Sequence, residues 1–115
     1  MKKDQLFLLR PGFTNATLGP FYCNDSAPVE GVLSFFPELR ELVDVHYLEF
    51  PRPRQKLVEQ LGADNQSLPV LIIAGDRKLA GDAPLPQSAM GKKFFSSERA
   101  IRDYLATQYV LPRPS

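Results

Sequence analysis

The chain has one cysteine, one histidine and no tryptophan among its 115 residues. A single thiol excludes an internal disulfide, and that fits a reducing compartment such as the cytoplasm, the expected location. One Cys and one His cannot build a Cys/His zinc site within one chain, so no metal is expected. Excess charge is also lacking: the formal net charge is +1, which gives no global electrostatic case for binding nucleic acid or a membrane surface. No apolar run nears the roughly 18 residues of a membrane span. Met1-Lys2-Lys3-Asp4-Gln5 leads directly into an apolar stretch that Arg10-Pro11 ends, too short for a signal-peptide core. No internal repeat and no long linker is present. The length fits one domain over residues 1–115, and 43% hydrophobic residues is ordinary for a folded domain.

What is present alternates between strand and helix patterns. Leu6-Phe7-Leu8-Leu9 reads as a short strand buried on both faces. Residues 10–22 hold Pro, Gly, Asn and Thr and read as a loop. From Ala27 to Leu42, Val29, Val32, Leu33, Phe36 and Leu39 fall at helical spacing, with Pro28 tolerated in the first turn. Pro37 either kinks this helix or ends it near Phe36. Residues 43–50 read as a second strand. A short helix follows from Arg54 to Leu61, with Gly62 as its C-cap. Val70-Leu71-Ile72-Ile73 is the clearest strand. Residues 75–93 form an excursion, and either Lys78-Leu79-Ala80 or Lys92-Lys93-Phe94-Phe95 returns as a further strand. Ser96 or Ser97 caps a last helix, and residues 111–115 are a loose tail. Strand–helix–strand units require a right-handed crossover and a parallel pair. The expected architecture is therefore α/β: a mixed four-stranded sheet in the order β-α-β-α-β-β-α, with helices on both faces.

The chemistry centres on Cys23 and on Pro69. Sulfur chemistry runs through the thiolate, and a cysteine at a helix start gains from unpaired N–H groups and the helix dipole. Asp25 opposes this by like charge if it turns toward the sulfur. Ser26 stands where a second cysteine would support dithiol exchange. It could donate a hydrogen bond to a thiolate but cannot resolve a mixed disulfide. A redox role would then be monothiol, with an external thiol such as glutathione as co-substrate. The alternative is that Cys23 is an inert small apolar residue. Pro69 suits the first residue of a strand. If its peptide bond is cis, the backbone of Leu68 could pair with an extended peptide or with glutathione; an ordinary trans proline is the other option. Arg52, Arg54 and Lys56 could hold ligand carboxylates or form a solvated helix start. Gln66 and Ser67 could hydrogen-bond a ligand. Tyr22 could pack on a ligand or on the sheet edge. His46 fits a structural role in its strand better than that of a catalytic base.

A thiol between a first strand and a first helix, with a proline leading a later apolar strand, is the layout of the thioredoxin fold. Leu6 to Phe13, Phe21-Tyr22-Cys23, Val29 to Leu33, Phe35 to Leu39, Phe50 to Arg54, Asn65 to Leu71 and Ala100 to Leu105 resemble a small bacterial thioredoxin-like family. That family is catalogued as domain of unknown function 3088. The resemblance covers nearly the whole chain, and Asn65 to Leu71 is its most specific segment. It implies a thioredoxin-like fold with Pro69 as the cis-proline, and no established activity. Members with a second cysteine differ from this chain, which has Ser26 after Asp25. The last helix is also similar to that of glutathione-transferase N-terminal domains, which would give Ser97 and Glu98 a role in binding a γ-glutamyl group.

Two functions are expected from these residues. One is a monothiol protein that forms a mixed disulfide at Cys23 with glutathione or a protein thiol. The other is a redox-inactive binding module for a protein partner. An arsenate-reductase-like role is set aside, because Ala27-Pro28 follows Ser26 where an anion-binding Arg would be needed.

Overall fold

A computed structural model describes residues 3–115. Strand β1 (Gln5–Leu9) is central and apolar on both faces. It pairs parallel with β4 (Asp44–Leu48) and antiparallel with β5 (Val70–Ile72). Strand β7 (Lys92–Phe95) pairs antiparallel with β5, and β6 (Gln87–Ala89) adds an edge beyond it. The sheet is therefore mixed and five-stranded, in the order β4-β1-β5-β7-β6.

The expected four strands become five because part of the 75–93 excursion folds back. Met90 and Gly91 both adopt positive φ, 53° and 74°, which is the backbone of a tight two-residue hairpin turn. Residues 92–95 are the returning strand, and residues 78–80 lie in irregular chain.

The two faces of β1 feed two cores. Leu6 and Leu8 pack with Val29 and Leu33 of α1 (Ser26–Phe35), Leu39 of α2 (Leu39–Leu42), and Ile101, Tyr104 and Leu105 of α4 (Glu98–Tyr109). Phe7 points the other way, against Leu57 and Leu61 of α3 (Gln55–Leu61). Helices thus cover both faces, as alternating side chains on a doubly buried strand require.

Pro37 breaks the first helix rather than kinking it. Residues before proline are disfavoured in the α region, and Phe36 leaves it at φ −127°, ψ 73°. Ser97, not Ser96, caps α4: its Oγ accepts the Ala100 N–H at 3.1 Å. The tail is tied down at its start. The Leu111 N–H reaches the Ala106 carbonyl, and the Leu111 side chain packs on the core.

Residues 10–22 are a second correction. They form a hairpin of β2 (Phe13–Asn15) and β3 (Leu18–Phe21) rather than a loop. The Phe13 ring lies 5.9 Å from Phe21 and stacks on Phe50 at 4.6 Å. Gly19 makes this possible. Its φ is +125°, and a Cβ there would lie 2.9 Å from the Phe13 carbonyl oxygen, at an irregularity in the register. A glycine inside a strand pattern marks such a bulge.

Candidate functional site

The chain leaves β3 at Phe21 and enters α1 through a turn at Asn24 and Asp25. Cys23 begins that turn and caps the helix. Its carbonyl accepts the Ala27 N–H at 3.1 Å, and its Sγ accepts the Ser26 N–H at 3.3 Å. The side chain of Asp25, at the N-cap position, makes no capping hydrogen bond. The sulfur thus takes one of the orphan N–H groups of a helix start, a contact that suits an anionic acceptor.

Ser26 is buried, and its Oγ accepts the Leu9 N–H at 3.1 Å. This bond ties α1 to the end of β1. The donor observed at the sulfur is therefore the backbone of Ser26, where the sequence suggested its hydroxyl.

The β1–β5 register brings the proline segment to the same end of the sheet. Phe7 pairs with Val70, so Pro69, directly before Val70, lies toward the Leu9 end of β1. The Leu68–Pro69 peptide bond is cis, one of the two isomers the residues left open. Leu71 pairs with Phe95, so β7 also runs toward this end, where Ser97 starts α4. Cys23, Pro69 and Ser97 thus lie toward the same end of the sheet, but Leu68, Pro69 and Ser97 do not line the cavity at Cys23.

Several other candidate residues are spent on structure. Arg54 is only 8% exposed. It donates to the Gln66 carbonyl at 2.7 Å and to the Phe50 carbonyl at 2.7 Å, and its own N–H reaches the Gln66 Oε1 at 2.7 Å. Gln66 is also buried and donates to the Ala63 carbonyl. These two residues clamp the loop before α3 to the loop before Pro69. Burial pulls the Arg54 guanidinium below its ordinary value, Arg52 pulls the same way, and Cys23 acts in the opposite direction. Among the described residues, the Arg54 Nε is the buried side-chain nitrogen with no hydrogen-bond partner. Arg52 is exposed. Ser67 lines a cleft with Asn65 and Ser96. Glu98 pairs with Arg102 at 2.7 Å within α4. His46 stacks on Phe7 at 4.9 Å, as a structural histidine would.

A cavity of about 360 Å³ opens beside the thiol. Leu8, Leu9, Pro11, Tyr22, Cys23, Ser26, Ala27, Glu30 and Tyr47 line it. Sequence reasoning missed its far wall. There the Tyr47 hydroxyl donates to Glu30 at 2.5 Å, and Arg40 contacts Glu30 at 2.5 Å and the Tyr47 hydroxyl at 3.2 Å. Burial, then the bond to Glu30, pushes the Tyr47 hydroxyl above its ordinary value. Residues 17 positions apart carry no local signal of such a pair. Tyr22, 66% exposed, stands at the cavity mouth.

The family model described as "Protein of unknown function (DUF3088)" matches residues 3–113. The chain belongs to this family. No curated protein and no solved structure matches it. Among the described residues, no helix is long and apolar enough to cross a membrane.

Proposed function

We propose that this member of the DUF3088 family is a monothiol thiol–disulfide exchange protein built on a thioredoxin-like fold. The observation that carries the reading is Cys23 at the start of α1, with its Sγ on the Ser26 N–H and its side chain partly exposed beside a cavity. The fold assignment is supported by the parallel β1–β4 pair, the antiparallel β5 and β7, and Pro69 leading β5 at the thiol end. In the reaction, the Cys23 thiolate attacks one sulfur of a disulfide. A new S–S bond forms, the old one breaks, and the leaving thiolate takes the electron pair and then a solvent proton. Release requires a second thiol from outside the chain, from glutathione, another small thiol or a protein, because Ser26 cannot resolve the adduct.

The test is mass spectrometry after incubation with hydroxyethyl disulfide, a small uncharged probe. The expected result is one adduct on Cys23 of the native protein, released by added thiol. No adduct on the native protein, with ready labelling in denaturant, contradicts the reading.

A second reading, a redox-inactive binding module, draws on the apolar surface beside the thiol. Phe21 and Tyr22, which lead directly into Cys23, are both exposed, and adjoining apolar exposure marks interaction surfaces. A Cys23→Ser variant that keeps the cellular phenotype favours this module; one that loses it favours the exchange protein.

A further inference from the structure

The cavity beside Cys23 has a chemistry of its own. Its floor is Leu8 and Leu9, its rim Pro11, Tyr22 and Ala27. Among the described residues that line it there is no Lys or Arg, while the Glu30 carboxylate does line it. Arg40 does not line the cavity and is already bound to both Glu30 and Tyr47. The basic residues expected to receive glutathione's carboxylates do not line this cavity, although Arg54 is near enough for Cys23 to act on its charge. Arg54 lines a separate cleft with Pro51, Pro53 and Lys56, and its terminal nitrogens are held by backbone carbonyls. A carboxylate brought into the thiol cavity would lose water and meet no cation, which is costly. An apolar group would meet leucine, proline and aromatic surface, the usual lining of a small-molecule site.

We infer that the cavity selects the partner of Cys23 as a small, uncharged disulfide bearing an aryl or alkyl group, in preference to glutathione disulfide. This rests on the monothiol reading above and names its substrate class. The apolar substituent lies over Leu8 and Leu9 with its sulfur at Sγ, and any hydroxyl or amide N–H at its far end meets Glu30 and Tyr47. The chemistry is the exchange already written.

The test compares two thiosulfonate probes on the full chain: benzyl methanethiosulfonate, which is apolar, and 2-sulfonatoethyl methanethiosulfonate, which is anionic. With each, the thiolate attacks the sulfenyl sulfur and methanesulfinate leaves with the electron pair. Each rate is divided by that probe's rate with free cysteine, which removes intrinsic reactivity. The expected normalised preference for the benzyl probe is about tenfold or more, the factor given by burying roughly 60 Å² of apolar surface. Ala27→Phe, at an exposed position of the rim, fills the cavity without touching the core and should reduce that preference several-fold. Fast reaction with both probes and no benzyl preference overturns the inference and leaves the monothiol reading standing. A benzyl preference that survives Ala27→Phe also overturns it, because the cavity would not be its source. Failure of both probes on the native protein, with labelling in denaturant, overturns the two together.

Discussion

The two ends of β1 treat polar chemistry in opposite ways. At its start, Asp4 is fully buried and its carboxylate is saturated. Oδ1 accepts the Ala74 N–H at 2.8 Å and the Arg77 Nε at 2.9 Å, while Oδ2 accepts the hydroxyls of Tyr109, at 2.9 Å, and Tyr104. At its other end, Leu9 has one side-chain link, to Ser26, and beyond it stand a partly exposed thiol, an apolar cavity and an exposed hairpin. A charge with four donors is fixed and closed to ligands. A thiol with one backbone N–H and a cavity beside it is left open on one side. The first end anchors the fold, and the second is the end that the proposed exchange would use.

The comparison breaks most visibly at Asp4. Asp4→Ala leaves the Arg77 charge and two tyrosine hydroxyls without their acceptor, and should cost about 3–5 kcal/mol in denaturant unfolding, the range for breaking a buried ionic network. The alkylation rate of Cys23 in the folded protein should not change. A loss under 1 kcal/mol would show that this end is not the anchor.

The same network predicts a pH dependence. Burial first, and then Asp4, pushes the hydroxyls of Tyr104 and Tyr109 far above their ordinary value. The unfolded chain therefore loses these protons near pH 10, while the folded protein keeps them. With more protons bound in the folded state, stability is intact below pH 10 and falls above it. The slope is about 1.4 kcal/mol per pH unit for each tyrosine. Urea midpoints between pH 9 and 11 should show the fall, and Tyr104→Phe should make it shallower.

Ser26→Ala probes the link between the two ends. It leaves the buried Leu9 N–H without an acceptor and should cost about 1–3 kcal/mol. The Ser26 backbone N–H on the sulfur remains, so Cys23 alkylation should change less than threefold. The smallest effect is expected for Cys23→Ser, within about 0.5 kcal/mol, as for a partly exposed residue outside the core.

Much of the first end was hidden from sequence reading and much of the second was legible. Local rules read the doubly buried strand β1 and narrowed Pro37 to a kink or a stop and the cap of α4 to Ser96 or Ser97; the structure decided both. The position of Cys23 before α1 and of Pro69 before β5 follows from the same patterns. Asp4 gave only a weak sign: a carboxylate directly before an apolar strand. Its partners lie 70 to 105 residues away, and no spacing rule reaches that far. Tyr104 lies at helical spacing from Ile101 and beside Leu105, which marks an apolar helix face but not a hydroxyl with a buried partner. The β2–β3 hairpin was missed because Gly19 and Pro20 read as loop punctuation, whereas Gly19 serves the bulge. Arg54 read either as a ligand-binding charge or as part of a solvated helix start, and only the fold reveals that two carbonyls and Gln66 enclose it.

The central claim is that Cys23 is poised for attack at a helix start, and not merely a small residue near one. The direct measurement is the rate of iodoacetamide alkylation at neutral pH, native against urea-unfolded chain, corrected for the effect of urea on a free thiol. A native rate equal to or above the unfolded rate is predicted. A native rate suppressed by about tenfold or more would contradict it.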